Sequence, residues 1–464
     1  MKQIFEPRSI AVVGASKTPR KPGYVTVENL LRLGFKGEIY PVNPNADDVL
    51  GLKAYPNIDE VPSNINLVVS VVPASENLDL VKESAEKGVK RIVIFSGGFS
   101  QSGEKGAALE KEVVEIAKAN DVRIVGPMTI GPINPSKNLA VSPLPLKELR
   151  RGNVAFIAQT GQFCAITLEW LFSVMGVGVS KSLDLGNKSD VDDADILEYL
   201  EEDPDTKVIA LHMEEAKNAK RFMDVARRVS GKKPIIVLKA GRTEMGARAA
   251  ASHTASMAGS DRVYEAAFRQ AGLIRAYSFD ELVDFAKAFS YLPLPAEDNV
   301  AVATISGGSG VLVADAIQES NLKLASFSTE AENRLRSIIP PWAKVLNPFD
   351  FGTRLALDSL DETYRVTLEA LLSDEKVGSV IMVTGAFYFT NQFETDFEII
   401  VDVAKKHRDK PLVACVIAGE NLTRISTRIL ENGGFPVYLS PERAVKALAA
   451  LHRYSRFRKQ VYPN

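Results

Sequence analysis

The sequence predicts an α/β protein built from three doubly wound domains in succession. A chain of 464 residues exceeds one ordinary core, at roughly 100–200 residues per domain. Short apolar, β-branched runs alternate with helical patterns along most of its length, which is the rhythm of βαβ units. These runs are nearly continuous in hydrophobicity and end in Gly, Pro, Ser or Asn, as expected of parallel strands covered by helices on both faces.

The first series is SIAVVGAS, EIYPVNP, INLVVSVVP, RIVIFSGGF and VRIVGP, and it places a first domain over residues 1–140. Residues 136–151, SKNLAVSPLPLKELRR, show no strand pattern and form the boundary. NVAFIAQ, KVIALHMEE and PIIVLKAG then define a second domain over 150–290. A proline-containing polar stretch, YLPLPAEDN, reads as a linker at 291–299. The pattern restarts with NVAVATISGGSG, LKLASF, GSVIMVTGAF, PLVACVIAG and FPVYLS, giving a third domain over 299–460. Gly- and Ser-rich strand ends at 159–161 and 306–310 hint that the second and third domains are structural relatives.

Composition removes several classes of function. With 45% hydrophobic and 25% charged residues the chain is neither disordered nor membrane-embedded, and no apolar run approaches the ~20 residues of a bilayer span. The start, MKQIFEPRSIAVVGAS, has no secretory h-region, so a cytoplasmic protein is expected. Lys and Arg total 56 against 58 Asp and Glu, which argues against nucleic acid as a partner. Cys164 and Cys415 are the only cysteines and lack metal-ligand spacing. No metal site is expected in this chain.

In a doubly wound sheet, ligands bind at the carboxyl ends of the strands, beside the point where strand order reverses. The first such end is Gly14-Ala15-Ser16, where small residues let phosphates approach backbone N–H groups, with Lys17 and Arg20 adding charge. The plainer reading is a tight turn. Asn43, Val72, Pro73, Ser96 and Gly97 occupy the following strand ends and should face the same crevice. The glycine fingerprint GxGxxG is missing, and the ribose-binding position holds Asn43 rather than an acid, so a dinucleotide oxidoreductase is disfavoured.

The second candidate site is residues 246–261, GARAAASHTASMAGSD. Small residues around a single imidazole suit a mobile loop with room for a phosphoryl group at a ring nitrogen of His253, supported by the hydroxyls of Ser252 and Thr254. The competing reading is an alanine-rich helix over 247–258 with His253 on a polar face. His212, His407 and His452 read as structural. A phosphohistidine needs an orienting acid and anion donors. Glu214, after strand KVIALHM, can accept from one ring N–H, with Glu215 as competitor and helix capping as a third option. Gln159, Thr160, Gly161 and Gln162 close NVAFIA and open a helix whose free N–H groups suit a phosphate, or Thr160 simply caps it.

Taken together, VVGAS, NPN, SGGF, GP..IGPINP, AQTGQ, GNKSDVDDADILEYLEEDP, LKAGRT and above all GARAAASHTASMAGSD resemble the α subunit of ADP-forming acetyl-CoA synthetases, relatives of succinyl-CoA synthetase. The resemblance spans essentially the whole chain. It implies a Rossmann-like CoA-binding domain followed by two flavodoxin-like domains. It further implies a partner β subunit of ATP-grasp fold that holds ADP or ATP and Mg2+, in an α2β2 assembly. The implied reaction converts acyl-CoA, ADP and inorganic phosphate into a carboxylic acid, ATP and CoA, through an acyl phosphate and a phosphohistidine. By motif, His253 carries the phosphoryl group and Glu214 orients it. Gln159, Thr160, Gly161, Gln162, Ser252 and Thr254 stabilise phosphate. Gly14, Ala15, Ser16, Lys17, Asn43, Val72, Pro73, Ser96 and Gly97 line the CoA site.

Three positions depart from that family's pattern: Met128 stands in place of Asn after GP, Ala158 in place of Ser, and Gln162 in place of a small residue. A substrate pocket bounded by Met128 and Phe163 accommodates small or aryl acids alike. The competing function is a non-catalytic CoA-binding regulator, which has no use for both His253 and Glu214.

Overall fold

The computed structural model describes residues 1–254, 260–354, 360–385, 388, 389, 392, 393 and 397–462; the side chains of 250–254, 353, 354, 388, 389, 392 and 393 lie outside that description. The chain divides into two compact units, Met1–Tyr277 and Ser278–Asn464.

The first unit contains two sheets. Strands β1 (Ser9–Val13), β2 (Glu38–Val42), β3 (Leu67–Ser70), β4 (Arg91–Ile94) and β5 (Arg123–Val125) pair in parallel in the order β2-β1-β3-β4-β5. Helices α1 (Pro22–Arg32), α2 (Asn77–Glu86) and α3 (Glu104–Ala119) make the crossovers. Ile10, Ala11 and Val12 are buried in succession, so both faces of β1 are covered, as the unbroken apolar run demanded. Helix α1 starts at Pro22, whose fixed φ suits a first helical residue and whose missing N–H is no loss there. Strand order reverses between β1 and β3, which opens the crevice at their carboxyl ends.

The second sheet holds β6 (Pro132–Asn134), β7 (Leu139–Ala140), β8 (Arg151–Ala158), β9 (Val179–Asp184), β10 (Val208–Met213), β11 (Ile235–Lys239) and β12 (Ile274–Ala276), in the order β12-β11-β10-β8-β9-β6-β7. Its helices are α4 (Leu168–Ser173), α5 (Asp193–Glu202), α6 (Ala219–Ser230), α7 (Glu244–Thr254) and α8 (Asp261–Gln270). Two expectations change. The boundary stretch 136–151 does contain strand residues, Leu139 and Ala140, and the β6-β7 hairpin joins the second sheet through antiparallel β9 rather than the first. Strand β9 escaped the sequence pattern because Ser180, Lys181 and Ser182 interrupt it. All three are buried and satisfied: Ser180 Oγ lies 2.7 Å from Thr206 Oγ1, Lys181 Nζ 3.0 Å from Asp203 Oδ2, and Ser182 Oγ donates to Cys164 O at 2.9 Å.

The second unit begins with α9 (Phe279–Tyr291), continues through β13 (Asn299–Thr304), α10 (Gly307–Glu319), β14 (Lys323–Leu324), α11 (Thr329–Ser337), β15 (Phe349–Asp350), α12 (Leu360–Ser373), β16 (Ser379–Gly385), α13 (Phe397–Lys405), β17 (Leu412–Ile417), α14 (Glu420–Asn432) and β18 (Val437–Tyr438), and ends with α15 (Pro441–Val461). The strand order is β14-β13-β16-β17-β18, with β15 also on β13. The second domain expected at 150–290 therefore runs into a helix of the second unit. Arg443 donates to both carboxylate oxygens of buried Asp284 on α9, at 2.6 and 2.8 Å, and Lys287 Nζ donates to Val437 O at 2.9 Å. In the first sheet β1 lies between β2 and β3, in the second β8 lies between β9 and β10, and in the third β13 lies between β14 and β16. No helix among the described residues is long and apolar enough to cross a membrane.

Candidate active site

The crevice of the first sheet gathers the strand ends read from the sequence. Gly14 has φ +87, a conformation glycine adopts without penalty, and a Cβ there would lie 3.1 Å from Val71 C and Val72 Cγ1. The α1 N-terminus packs on this turn so closely that a Cβ on Gly23 would be 2.2 Å from Gly14 O. Asn43 Nδ2 donates to Ala15 O at 2.6 Å, joining the end of β2 to the end of β1. Ser96 is reached through Asn77, whose Nδ2 donates to Pro73 O at 2.9 Å and to Ser96 Oγ at 3.3 Å, while Ser70 Oγ donates to Asn77 Oδ1 at 2.6 Å. Asn77 was missed in the sequence; its position four residues after Pro73 is the only local signal. Ala15 is buried, Ser16 Oγ accepts from Thr18 N in a local turn, and Lys17 forms an exposed pair with Asp48 at 3.2 Å. Gly97 faces Met128, since a Cβ there would stand 3.5 Å from Met128 Cγ.

At the reversal point of the second sheet, Ala158 on β8 is flanked by Asp184 on β9 and His212 on β10. Gln159 follows. Its N–H donates to His212 O at 3.2 Å, its Oε1 accepts from Glu214 N–H at 3.0 Å, and its buried Nε2 has no hydrogen-bond partner among the described residues. Glu214 is itself buried. Glu215 turns elsewhere, pairing with Lys217 at 2.5 Å and accepting Lys188 Nζ on its carbonyl at 2.6 Å. The α-helical start expected at Thr160, Gly161 and Gln162 is replaced by one turn of π-helix, Gln162–Ile166, with Thr167 N–H bonded to Gln162 O, and no side chain caps it. Crowding at Gly161, where a Cβ would meet Ile130 Cγ2 at 3.0 Å, accompanies that change. Gln162 is exposed, and Phe163 packs edge-on against buried His212 with centroids 4.8 Å apart.

His253, with Ser252 and Thr254, falls in the last turn of α7, and the side chains of all three lie outside the described residues. The loop expected from residue 246 is helical through Thr254, because Glu244, Met245 and the Ala/Arg run are good helix formers. Two buried cations hold α8, the helix that follows this segment. Lys239, at the end of β11, stands 4.6 Å over the Tyr264 ring; burial lowers its pKa, against the opposing pull of Asp261 and Glu214. Arg275 on β12 grips Asp261, and Glu265 at 2.6 Å, both on α8. Among the described residues no group of three His, Cys, Asp or Glu side chains is placed to hold a metal ion.

Three consecutive doubly wound sheets thus carry small residues at the first reversal point and a buried Gln-Glu pair at the second. Family models cover the chain in the same succession: a CoA binding domain over residues 8–135, a succinyl-CoA ligase-like flavodoxin domain over 151–289, and a ligase-CoA domain over 300–461. The chain is 42% identical over 462 residues to acetate–CoA ligase (ADP-forming) II of Archaeoglobus fulgidus, covering 99% of itself and 68% of that protein. It is 40% identical over 450 residues to the α subunit of acetate–CoA ligase (ADP-forming) II of Pyrococcus furiosus, covering 97% and 96%. A solved acetyl-coenzyme A synthetase of Ca. Korarchaeum cryptofilum, in complex with phosphate and ADP, superposes with a TM-score of 0.92 at 35% identity, over 99% of this chain and 98% of that one. The chain belongs to the ADP-forming acetate–CoA ligase family. Relatives of its extent are named as α subunits, which implies a partner subunit.

Proposed function

We propose that this chain binds CoA in its first sheet's crevice and carries a phosphoryl group on His253 for an ADP-forming acyl-CoA synthetase. The carrying observation is Gln159: it is buried, fixed through Oε1 to the Glu214 N–H, and keeps an amide donor for a ligand oxygen at the reversal point of the second sheet. A buried donor of this kind is stabilised once a phosphate or acyl-phosphate oxygen accepts from it.

In the direction of acid release, a phosphate oxygen forms a bond to the acyl carbonyl carbon. The carbon–sulfur bond breaks, and CoA leaves as thiolate and takes up a proton. A ring nitrogen of His253 then bonds to phosphorus while the phosphorus–oxygen bond to the acyl group breaks, releasing a carboxylate. Finally a terminal oxygen of ADP takes the phosphoryl group, the phosphorus–nitrogen bond breaks, and ATP forms. Glu214 accepts from the other ring N–H and stabilises the cationic imidazole. The backbone turn at Gly14, Ala15 and Ser16 receives CoA phosphates, with Lys17, Asn43, Val72, Pro73, Ser96 and Gly97 around it. ADP and its Mg2+ ion sit on a β subunit of ATP-grasp fold, and two copies of each chain form the complete enzyme.

The test is to incubate the chain with its partner subunit, γ-labelled ATP and magnesium, in wild type and His253→Ala. Acid-labile, base-stable label confined to wild type, and discharged by a carboxylic acid with CoA, supports the proposal. Label in neither protein leaves a CoA-binding regulator as the better reading.

A further inference from the structure

Between the two reversal points of the first unit lies a seam. Residues 126–131 leave the end of β5 and cross from one sheet to the other. On the side of the first sheet, Met128 N–H donates to Ser96 O at 3.2 Å. On the side of the second, Asn187 N–H donates to Pro127 O at 2.9 Å and Ser189 N–H to Gly126 O at 3.2 Å. Gly186 is pressed against this crossing, for a Cβ on it would be 2.1 Å from Pro127 O.

Asp184 sits under the crossing and is almost wholly buried. Its Oδ2 accepts from Ile130 N–H at 2.9 Å and its Oδ1 from Gly186 N–H at 3.0 Å, and its carbonyl accepts from Thr129 Oγ1. One side chain therefore holds both strands of the seam through two backbone donors. The Ile130 side chain it anchors lies against Gly161, beside Gln159. Lengthening the bond to the Ile130 N–H would shift the packing of Ile130 on Gly161.

We infer that Asp184 is a positioning residue for the acyl-transfer half of the reaction: by holding the Ile130 N–H beside that of Gly186, it fixes the packing of Ile130 on Gly161, two residues from the Gln159 donor that takes the acyl phosphate. This rests on the function proposed above. It assigns Asp184 no contact with ADP or with the partner's nucleotide, so its effect is confined to the steps that involve CoA, acyl group and phosphate.

The test uses the assembled enzyme and two half-reactions. Asp184→Asn keeps the size of the side chain but presents an amide N–H₂ to one of the two N–H groups. Acyl-CoA- and phosphate-dependent turnover is expected to fall about 10- to 100-fold, as an ångström-scale misplacement produces, with KM for phosphate raised. Labelling of the histidine from γ-labelled ATP should stay at the wild-type rate. Ile130→Ala, which leaves the Asp184 clamp untouched, should show the same split in the same half-reaction. The inference is overturned if Asp184→Asn slows both half-reactions equally or neither, or if Ile130→Ala leaves acyl transfer unchanged. Failure of wild type to label at all would instead sink the proposed function.

Discussion

Replacing Gly23 by alanine tests whether the close approach of α1 to the first strand end is what shapes the CoA site. The new Cβ would lie 2.2 Å from Gly14 O and 2.9 Å from Ala15 Cα, both backbone atoms that no rotamer change can clear. A carbon–oxygen contact settles near 3.3 Å, so the helix and the turn must part by about 1 Å. Overpacking of this kind costs about 1–3 kcal/mol, offset by up to about 1 kcal/mol from the better helix propensity of alanine. The net destabilisation expected is about 1–2 kcal/mol, and each kcal/mol lowers the unfolding temperature of a unit this size by about 2–4 °C.

Binding should suffer more than stability does. The displaced atoms are the carbonyl of Gly14 and the backbone of Ala15, beside the N–H groups assigned to CoA phosphates, and a loss of 1.4 kcal/mol in that contact is about a tenfold weaker Kd. Gly88→Ala is the control: it has φ +85 with nothing within 4 Å, so it introduces strain without a clash and away from the crevice. Calorimetric titration with CoA and thermal unfolding should show both variants mildly destabilised and only Gly23→Ala weak for CoA. Wild-type CoA affinity in a folded Gly23→Ala protein would refute the link between this packing and the site.

Glu214→Gln retains the shape but removes the charge facing an imidazolium, and should slow histidine labelling about 100-fold in rapid-quench measurements, with little change in unfolding temperature. Arg275→Ala removes the buried grip on Asp261 and Glu265, hydrogen bonds to charged groups worth about 1.5–3 kcal/mol; thermal unfolding should move down by several degrees and labelling should slow, because α8 no longer fixes the exit of the His253 segment. For Asp184, burial is the main cause that raises the carboxyl from its ordinary 3.8 to about 7, with Glu214 adding to it and the two backbone donors opposing. The folded chain thus binds this proton more tightly than the unfolded one, so its contribution to stability falls as pH rises from about 4 to about 7 and is flat above. Unfolding curves across that window should show the wild type losing stability relative to Asp184→Asn as pH rises; a constant difference would contradict the assignment.

What was legible in the sequence follows from how each residue is buried. SIAVV, LVVS and RIVI are covered on both faces and announce themselves as apolar runs ending in turn residues, and Gly14, Gln159 and Glu214 stand out because they follow such runs. Strand β9 does not, since Ser180, Lys181 and Ser182 are buried by pairing rather than by hydrophobicity. Helix α9 was recognisable as a helix but not as part of the second unit: Asp284 and Lys287 look like surface residues until Arg443 and Val437 supply their partners about 150 residues later. Asp184 was invisible for a related reason: it acts on the backbone N–H of Ile130, 54 residues away, and a backbone donor carries no residue signature.

The reversal points of the first two sheets are chemically different, and the difference follows from what each must hold. At the first, Gly14 and Gly97 leave backbone exposed to a ligand, and the polar side chains Asn43 and Asn77 are spent on binding strand ends to one another. That suits a large anionic ligand gripped through main-chain N–H groups. At the second, Gln159 and Glu214 bring side-chain polarity into a buried place, with Lys239 and Arg275 supplying positive charge on the neighbouring strands. Such groups are tolerable there only if every one is paired or awaits a ligand, because an unpaired buried charge is far more costly than an exposed one. Reactive chemistry therefore belongs at the second point and ligand retention at the first. Under the proposed function, a change at Ile130 or Asp184 should alter acyl transfer without weakening CoA retention, whereas a change at Gly23 should do the reverse.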